Sequence, residues 1–407
     1  MTPAPGPGAA ARRQALTGLY VHVPFCAVRC HYCDFSSGAL SAAAIERYLA
    51  AMAVEMRMRE PAACGMRFHS VFFGGGTPSA LGPAAFERLV RLLRGHFDLA
   101  PGAEITLEAN PETVDERKLE AWCTGGVNRL SMGAQSFHGD ELRRLGRVHD
   151  ADRPARAAAM ARAHGFTRLS LDLMFGYPGH DQRRFEASLE RALSCGIEHL
   201  SAYCFIPEAG TPLGDQTLRD PASLPGPERE AELYAVAERV LGAAGFACYE
   251  TSNFCRPDAE ARHNLVYWLR RPYLGLGPSA HSLIAGERFA NHYAFTRWAA
   301  DLEHGRLPEA ERERESDASV AQEILLLGLR LGGGVDPADH PAETWRAVRD
   351  RFGEALELAV HAGRLERVHG AYRIPEWARF VADEAIAWIL ARESASKVRT
   401  RRFDTVP

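Results

Sequence analysis

Three cysteines in one short run are the residues of this chain best suited to chemistry. Cys26, Cys30 and Cys33 lie in the segment 19–35, which reads LYVHVPFCAVRCHYCDF. Iron–sulfur clusters are held by cysteine thiolates, and most [4Fe–4S] clusters take four of them. Three thiolates on one loop could hold three irons and leave the fourth iron without a protein ligand. Such an open iron is a coordination site at which a small molecule can bind.

Two other kinds of site also use cysteines. A zinc site usually takes four ligands, commonly in pairs. No second pair follows here, so His22 or His31 would have to serve as the fourth ligand. A disulfide framework is disfavoured because the chain has 407 residues, an odd count of 9 cysteines and no secretory signal. The remaining cysteines are predicted to be small, buried apolar residues: Cys64, Cys123, Cys195, Cys204, Cys248 and Cys255.

A glycine-rich turn and several isolated polar residues follow apolar runs. The stretch 72–79, FFGGGTPS, lets the backbone approach a ligand and expose N–H groups, or makes a tight turn. Glu108 and Asp172 are carboxylates in apolar runs, and Gln135 ends another such run. A buried carboxylate needs a donor, which a ribose or an ammonium group of a ligand could supply. The alternative to a ligand site is an internal ion pair of one acid with Arg147.

These residues lie near the ends of predicted strands. Short apolar runs alternate with longer amphipathic ones over the first two-thirds of the chain, which indicates βα units around a parallel sheet. Strands are predicted at 19–23, 70–73, 104–108, 129–132, 169–173 and 199–204, and helices at about 41–59, 83–95, 115–124, 151–164 and 181–195. Six repeats predict an α/β fold, a partial (β/α)6 TIM-like barrel, whose site lies at the carboxyl ends of the strands.

The rest of the chain is less regular and then helical. A loop rich in Pro and Gly spans 207–225, a helix spans 226–244, and aromatic and histidine residues follow to about 300. Helical patterns at 318–331 and 344–362 predict a small, mainly helical C-terminal domain. The predicted organisation is a disordered segment 1–17, a barrel 18–245, a linking region 246–305, a C-terminal domain 306–391 and a flexible tail 392–407.

The composition is that of an ordinary globular protein, with 46% apolar and 25% charged residues. The net charge of -4 gives no indication of nucleic-acid binding. No apolar run approaches the length of a membrane span. Reduced cysteines without a targeting signal predict a cytoplasmic location.

Together the motifs resemble the coproporphyrinogen-oxidase-like branch of the radical S-adenosylmethionine (SAM) superfamily, over about residues 19–375. The resemblance rests on the spacing C-x3-C-x2-C, on YVHVPFC, GGGTPS, DLMFGYPG and GLGPSAH, and on the segments around Glu108 and Gln135. It implies a radical SAM barrel with a [4Fe–4S] cluster on Cys26, Cys30 and Cys33 and SAM on the open iron. It also implies SAM contacts by Tyr20, Phe35, Gly75, Gly76, Thr77, Glu108, Gln135, Arg147 and Asp172, with Cys204 and His281 aligned to backbone contacts.

Two functions occur in this branch, and two features of the chain separate them. Oxygen-independent coproporphyrinogen III oxidase, an enzyme of porphyrin biosynthesis, carries a further cysteine two residues after the third. Phe35 stands at that position here. The oxidase also has a longer segment ahead of its cluster, whereas 19 residues precede Tyr20 here. Both departures disfavour the oxidase.

The segment 263–268, HNLVYW, resembles the H-N-x-x-Y-W signature of the heme chaperones in this branch. A neutral imidazole is a good ligand for heme iron, so His263 is the favoured ligand candidate. On a helix, Tyr267 lies one turn further on the same face, and its ring and that of Trp268 offer flat surface to a macrocycle. The candidate heme-site residues are His263, Asn264, Tyr267 and Trp268, with Arg262, Arg270 and Arg271 as partners for propionates. A packed histidine among core aromatics is the alternative.

The sequence therefore predicts a heme chaperone that binds heme and passes it to an acceptor hemoprotein. Its cluster and SAM would govern assembly or transfer, which leaves open whether the chain is an enzyme. The alternatives are the oxidase, which decarboxylates propionates of coproporphyrinogen III, and radical chemistry on another substrate. The resemblance further implies a respiratory acceptor, transient contact with membrane proteins and exchange between monomer and dimer.

Overall fold

The structure is a computed structural model that describes residues 16–393. The predicted disordered segment 1–17 and flexible tail 392–407 lie almost wholly outside these residues. The described chain divides into two compact units, one of residues 16–267 with 271–314, the other of 268–270 with 315–393.

Most strands belong to one large sheet in the larger unit. The strands are β1 Gly18–Val23, β2 Phe25–Cys26, β3 Gly38–Ala39, β4 Arg67–Gly75, β5 Asp98–Ala109, β6 Arg129–Gln135, β7 Arg168–Phe175, β8 His199–Cys204, β9 Ala247–Glu250, β10 Asn253–Cys255, β11 Tyr273–Leu276, β12 His281–Ile284, β13 Glu287–Asn291, β14 Glu309–Arg314, β15 Glu366–Val368 and β16 Ala371–Arg373.

Helices follow most of the central strands along the chain and make up most of the smaller unit. They are α1 Ala42–Arg59, α2 Pro83–His96, α3 Glu116–Thr124, α4 Gly139–Arg144, α5 Arg153–Ala163, α6 Gln182–Ser194, α7 Pro212–Arg219, α8 Pro227–Ala243, α9 Arg262–Trp268, α10 Phe295–Glu303, α11 Asp317–Gly328, α12 Ala342–His361 and α13 Ala382–Leu390. Several begin at a capping residue; the Asp181 carboxylate, for example, accepts the first free N–H groups of α6.

Six parallel strands form the centre of the large sheet, in the order β1-β4-β5-β6-β7-β8. This confirms the predicted α/β fold with a partial (β/α)6 barrel. Further strands extend both edges. On one side β11 pairs in parallel with β1, and β12, β13 and β14 follow it in antiparallel pairs; on the other side β10 and β9 follow β8, also in antiparallel pairs. The sequence did not predict these edge strands, because their runs are short and broken by glycine and polar residues.

The central strands have two different faces. Leu19 and Val71 lie on the outer face and are fully buried. Each stabilises the fold by about 1.5–3 kcal/mol because its apolar surface is removed from water. The alternate residues point inward and include polar side chains such as Ser70, Glu104 and Arg129, all nearly fully buried. A polar barrel interior is therefore present where an apolar core would be expected, and its groups need partners.

The smaller unit is mainly helical. It contains α11, α12, α13 and the hairpin β15–β16, around a core that includes Phe352, Leu356 and Ile386. Arg270 pairs there with Glu315 and Glu323. One arginine offered as a propionate partner is thus already engaged by two carboxylates.

Two further sequence expectations can be compared with the described residues. No helix among them is long and apolar enough to cross a membrane. The prediction that six cysteines are buried apolar residues was mostly wrong: Cys255 is buried, but Cys64 and Cys123 are exposed and the others are half-buried. These thiols lie near helix ends and loops, where neighbours cover only one side of a small side chain.

Candidate functional site

The three predicted cluster cysteines lie together on the loop after β1. Cys26 ends β2, and the N–H of Cys33 donates to the Cys30 carbonyl at 3.4 Å. Burial, together with the charges of the neighbouring Cys30 and Cys26 sulfurs, raises the pKa of Cys33 to about 11. The three thiols are therefore close enough to act on one another. Among the described residues, no group of three or more His, Cys, Asp or Glu side chains is arranged to hold a single metal ion.

Two polar side chains contact the cluster cysteines. The Thr77 hydroxyl lies 3.3 Å from the Cys26 sulfur, and Arg147 Nη1 donates to the Cys30 sulfur at 3.3 Å. A cation beside a thiol favours the thiolate, which is the form that binds iron. Half-buried thiols with these donors fit the thiolate ligands of an iron–sulfur cluster.

Arg147 is held in place from the barrel side. Its Nη2 atom donates to Asn110 Oδ1 and to the Gly133 carbonyl, both at 2.8 Å. Within the described residues it makes no ion pair with Glu108 or Asp172, so the internal ion pair considered from the sequence is absent. Asn110, in the segment TLEANP, was not predicted as a site residue, although it follows Glu108 by two positions.

Neighbouring atoms leave no room for side chains at Gly75 and Gly76 in the three-glycine turn. Gly75 has φ +107, and a Cβ there would lie 2.6 Å from the His22 ring. A Cβ at Gly76 would lie 2.8 Å from the Phe25 carbonyl oxygen. The turn thus brings the end of β4 against β1 and the cluster loop, as close backbone approach demands.

Two half-buried carboxyl groups face the barrel interior near this turn. Burial raises the pKa of Glu108 to about 8, the neighbouring Asp172 adds to the rise, and a bond from the Gly75 N–H opposes it. Burial also raises the pKa of Asp172, and hydroxyl donors at Ser201 (2.8 Å) and Ser131 (3.1 Å) offset part of that rise. Glu108 can thus accept from a hydroxyl or ammonium donor on a ligand.

The remaining predicted SAM residues lie at the same edge of the sheet. Gln135 ends β6 at φ +66 and accepts from the Tyr203 hydroxyl at 2.6 Å. Cys204 ends β8 and is half-buried; burial, with the charge of Glu230, raises its pKa to about 12. The strand-end positions predicted for these residues agree with the structure, whereas their contacts with SAM stay predictions.

A cavity of about 490 Å³ opens beside the cluster loop, within the larger unit. Its lining residues are Tyr20, His22, Asp34, Phe35, Ser36, Gly75, Glu108, Tyr267, Tyr273, Ser279, His281 and Tyr293. The buried His22 and the half-buried Glu108 form the inner end, while Phe35 and Tyr293 are 59% and 57% exposed and form the rim. The cavity therefore has a polar, enclosed end and an open, aromatic end.

His263 lies behind this cavity rather than in its lining. It begins the first turn of α9, is 1% exposed, and stacks on Phe72 with ring centroids 5.2 Å apart. Its Nδ1 lies 2.9 Å from the Ser70 hydroxyl and its Nε2 lies 2.9 Å from the Tyr267 hydroxyl. Burial lowers the pKa of His263 to about 3, so the ring is neutral. Both nitrogens are engaged in this arrangement, and ligation of iron by His263 stays a prediction.

The rest of the H-N-x-x-Y-W segment continues this packing. The Asn264 amide donates to the Tyr249 hydroxyl at 3.3 Å, and Trp268 ends the helix, partly buried. Tyr267 lines the cavity, with its ring edge-on to Tyr273 at 4.8 Å. The predicted one-turn relation between His263 and Tyr267 is present, and Tyr267 is the member of the motif that reaches the cavity.

A turn not predicted from the sequence completes the cavity wall. Gly277 and Asn291 both donate to the buried Glu55 carboxylate, at 2.8 and 2.6 Å. The Asn291 N–H in turn donates to the Ala280 carbonyl at 2.9 Å. Ser279 has φ +62, which is strained for a residue other than glycine, and lines the cavity. Glu55 lies in α1, so no local sequence signal links it to this turn.

Comparison with known proteins gives several matches. The profile of the radical SAM superfamily matches residues 20–192. The heme chaperone HemW of Mycobacterium tuberculosis is 38% identical over 351 residues, which cover 86% of this chain and 90% of that one. The heme chaperone HemW of Bacillus subtilis is 32% identical over 375 residues, covering 91% and 98%.

A solved structure gives the fold. Coproporphyrinogen III oxidase (HemN) from Escherichia coli, a radical SAM enzyme, matches with a TM-score of 0.79 over 94% of this chain and 93% of that one. The sequence identity is 24%, so this similarity shows the fold alone.

Proposed function

The chain belongs to the HemW family of the radical SAM superfamily, and from this premise we propose that it binds heme and passes it to an acceptor hemoprotein. One structural observation carries the proposal for this chain. Tyr267 of the HNLVYW segment and Phe35 of the cluster loop line the same cavity. The segment typical of heme chaperones and the predicted cofactor loop thus face one space.

The proposal includes a [4Fe–4S] cluster on Cys26, Cys30 and Cys33. When bound, the cluster supplies an iron open to SAM and a store of one electron. The protein supplies the rest of the environment: Arg147 donates to Cys30 and the Thr77 hydroxyl lies beside Cys26. These contacts place hydrogen-bond donors beside two of the sulfurs and hold the loop against the barrel.

SAM would occupy the inner end of the cavity. Glu108 and Gly75 line that end. The pKa of Glu108 is raised, and a hydroxyl or ammonium donor of the ligand would stabilise the ionised form of its carboxyl group. Gln135, Arg147 and Asp172 lie at the same barrel edge, and Gly76 and Thr77 continue the turn. In this proposal SAM and the cluster govern assembly or heme transfer, and no substrate needs to be turned over.

Heme would occupy the aromatic part of the same cavity. Tyr20, Phe35, Tyr267, Tyr273 and Tyr293 all line it, and aromatic faces bind a flat macrocycle well. His263, Asn264 and Trp268 would support this site from behind. We also propose a cytoplasmic location, a respiratory acceptor, transient contact with membrane proteins and exchange between monomer and dimer, all of which derive from the family resemblance.

The rival function is oxygen-independent oxidation of coproporphyrinogen III. Phe35 bears on it directly, because the position where the oxidase carries a further cysteine lies on the cavity rim here. An apolar ring there supports binding of a macrocycle and offers no thiol to a reaction. We therefore prefer the chaperone.

An anaerobic heme titration of cluster-loaded protein tests the proposal, with Soret absorbance as the readout. We expect saturable binding of about one heme per chain. A parallel reaction with coproporphyrinogen III, SAM and a reductant should give no product. Absence of saturable heme binding, together with turnover of coproporphyrinogen III, would contradict the chaperone function and support the oxidase function.

A further inference from the structure

The imidazole that faces the cavity is not that of His263. His263 is buried and bonded at both nitrogens, to Ser70 and to Tyr267. To ligate iron it would have to leave a stacked position on Phe72 and give up one of these hydrogen bonds. An unpaired polar group left inside the barrel destabilises the folded state. A different nitrogen ligand within the cavity needs no such rearrangement.

His281 is such a ligand. It begins β12, is exposed and lines the cavity. Neither of its ring nitrogens hydrogen-bonds to another described residue, whereas both nitrogens of His263 do. His22, the other histidine of the cavity, is bonded at both nitrogens, to Tyr20 and to the Ser36 carbonyl. Within the described part of the cavity, His281 is therefore the histidine that can bind iron without losing a bond.

The turn that carries His281 is firmly supported. Its strained residue, Ser279, donates its N–H to the His292 carbonyl at 2.9 Å. Gly277, at the start of the turn, donates to Glu55, which also accepts from the Trp298 indole at 3.1 Å. A ligand on a rigid turn is pre-organised and loses little entropy on binding.

Two exposed aromatic rings, those of Phe35 and Tyr293, line the same cavity as His281. The Tyr293 hydroxyl donates to the Asp34 carbonyl at 2.5 Å, and the Ser36 hydroxyl donates to the Tyr293 carbonyl at 2.6 Å. The two bonded loop residues, Asp34 and Ser36, precede and follow Phe35. The bonds therefore hold the cluster loop against the segment that follows β13. Phe35 and Tyr293 thus present exposed rings on the same rim as the imidazole. The rim therefore offers a nitrogen ligand and two exposed aromatic rings within one unit.

We propose that heme binds at the outer end of this cavity with the His281 imidazole as its iron ligand, against the rings of Phe35 and Tyr293. His263 is then a positioning residue, which holds Tyr267 in the cavity wall. This inference rests on the proposed heme-chaperone function and names the ligand for it. Heme at an exposed rim remains accessible to an acceptor protein.

The test is an anaerobic titration of the cluster-loaded full chain with ferric heme, followed by Soret absorbance and electron paramagnetic resonance. The variants are His281→Ala, His263→Gln and, as a matched control, His361→Ala, which removes an exposed histidine of α12. We expect His281→Ala to change the heme spectrum and weaken binding about tenfold or more, which is about 1.4 kcal/mol. Added imidazole should restore the parent spectrum of His281→Ala. His263→Gln and His361→Ala should keep the parent spectrum.

Each other outcome has a defined meaning. An unchanged spectrum in His281→Ala, or a ligand change in His263→Gln instead, overturns the inference and leaves the chaperone function standing. No saturable binding by the parent protein contradicts the proposed function itself. Thermal unfolding of each variant excludes misfolding as the cause, because replacement of the exposed His281 should leave the unfolding temperature of the parent protein almost unchanged.

Discussion

The Nε2 atom of His263 lies 2.9 Å from the hydroxyl oxygen of Tyr267, one helical turn further along α9. This contact joins the buried first residue of the H-N-x-x-Y-W segment to the residue that lines the cavity. The spacing of the motif is therefore explained by geometry: the histidine is fixed inside the barrel, and the tyrosine is aimed by it. The motif can act on heme binding without its histidine touching the iron.

Replacement of Tyr267 by phenylalanine tests this contact. The change leaves the ring in place but deprives His263 Nε2 of its partner in a buried site. We expect a loss of about 1–3 kcal/mol in the free energy of unfolding, measured by urea denaturation. A loss below about 0.5 kcal/mol would mean that the contact carries no structural role.

Removal of single cysteines tests the cluster assignment. Cys26→Ala, Cys30→Ala and Cys33→Ala should each lose most of their iron and acid-labile sulfide after reconstitution, because the cluster then keeps two thiolates. Cys64→Ala, which removes an exposed thiol, is the control and should keep the parent content. Equal iron content in all four variants would contradict the assignment.

Glu55→Gln tests the support of the His281 turn. The carboxylate accepts from Gly277, Asn291 and Trp298, and an amide in its place turns at least one donor towards another donor. We expect a loss of about 1–3 kcal/mol in unfolding free energy.

Glu46→Gln is the matched control for this change. Glu46 pairs with Arg88 at an exposed site, so its loss should cost about 0–1 kcal/mol. Equal stabilities of the two glutamine variants would show that the buried network contributes nothing to the turn.

His180 predicts a pH dependence of stability. It is buried, its Nδ1 accepts from the Gly176 N–H at 3.2 Å, and burial lowers its pKa from 6.5 to about 4. The unfolded chain therefore binds more protons between pH 6.5 and 4, so stability falls as the pH drops through this window and falls no further from this group below it. The loss from this group is at most about 3 kcal/mol.

A His180→Asn variant isolates that contribution. The side-chain oxygen of the asparagine can accept a hydrogen bond from the Gly176 N–H, and the amide group does not titrate. Urea denaturation of both proteins at several pH values should show a smaller loss of stability for the variant between pH 6.5 and 4. Parallel curves across this range would refute the assignment of the pH dependence to His180.

The sequence predicted the barrel well because its strands and helices have strong local patterns. His199–Cys204 agrees residue for residue with the predicted strand, and the predicted helix 83–95 corresponds to Pro83–His96. The strands from 247 to 314 were missed, because they are short and take their pairing from the edges of the barrel rather than from their own periodicity. Local patterns carry no signal for such edge pairing.

The roles of the candidate site residues stay predictions. Several of them, such as Glu108, were found from local sequence and line one cavity in the structure. The partners came from distant positions: Ser70 lies 193 residues from His263, and Glu55 lies 222 residues from Gly277. The burial of His263 therefore followed from tertiary contacts that no local pattern encodes.

Heme transfer is the measurement that tests the central claim most directly. Cluster-loaded protein carrying one equivalent of heme would be mixed anaerobically with an apo-hemoprotein acceptor, and the acceptor's heme spectrum followed in the presence and absence of SAM. The account predicts that heme leaves this protein and appears in the acceptor, faster than heme released from a non-specific carrier. Heme that stays bound, or that transfers no faster than from the carrier, would contradict a chaperone function.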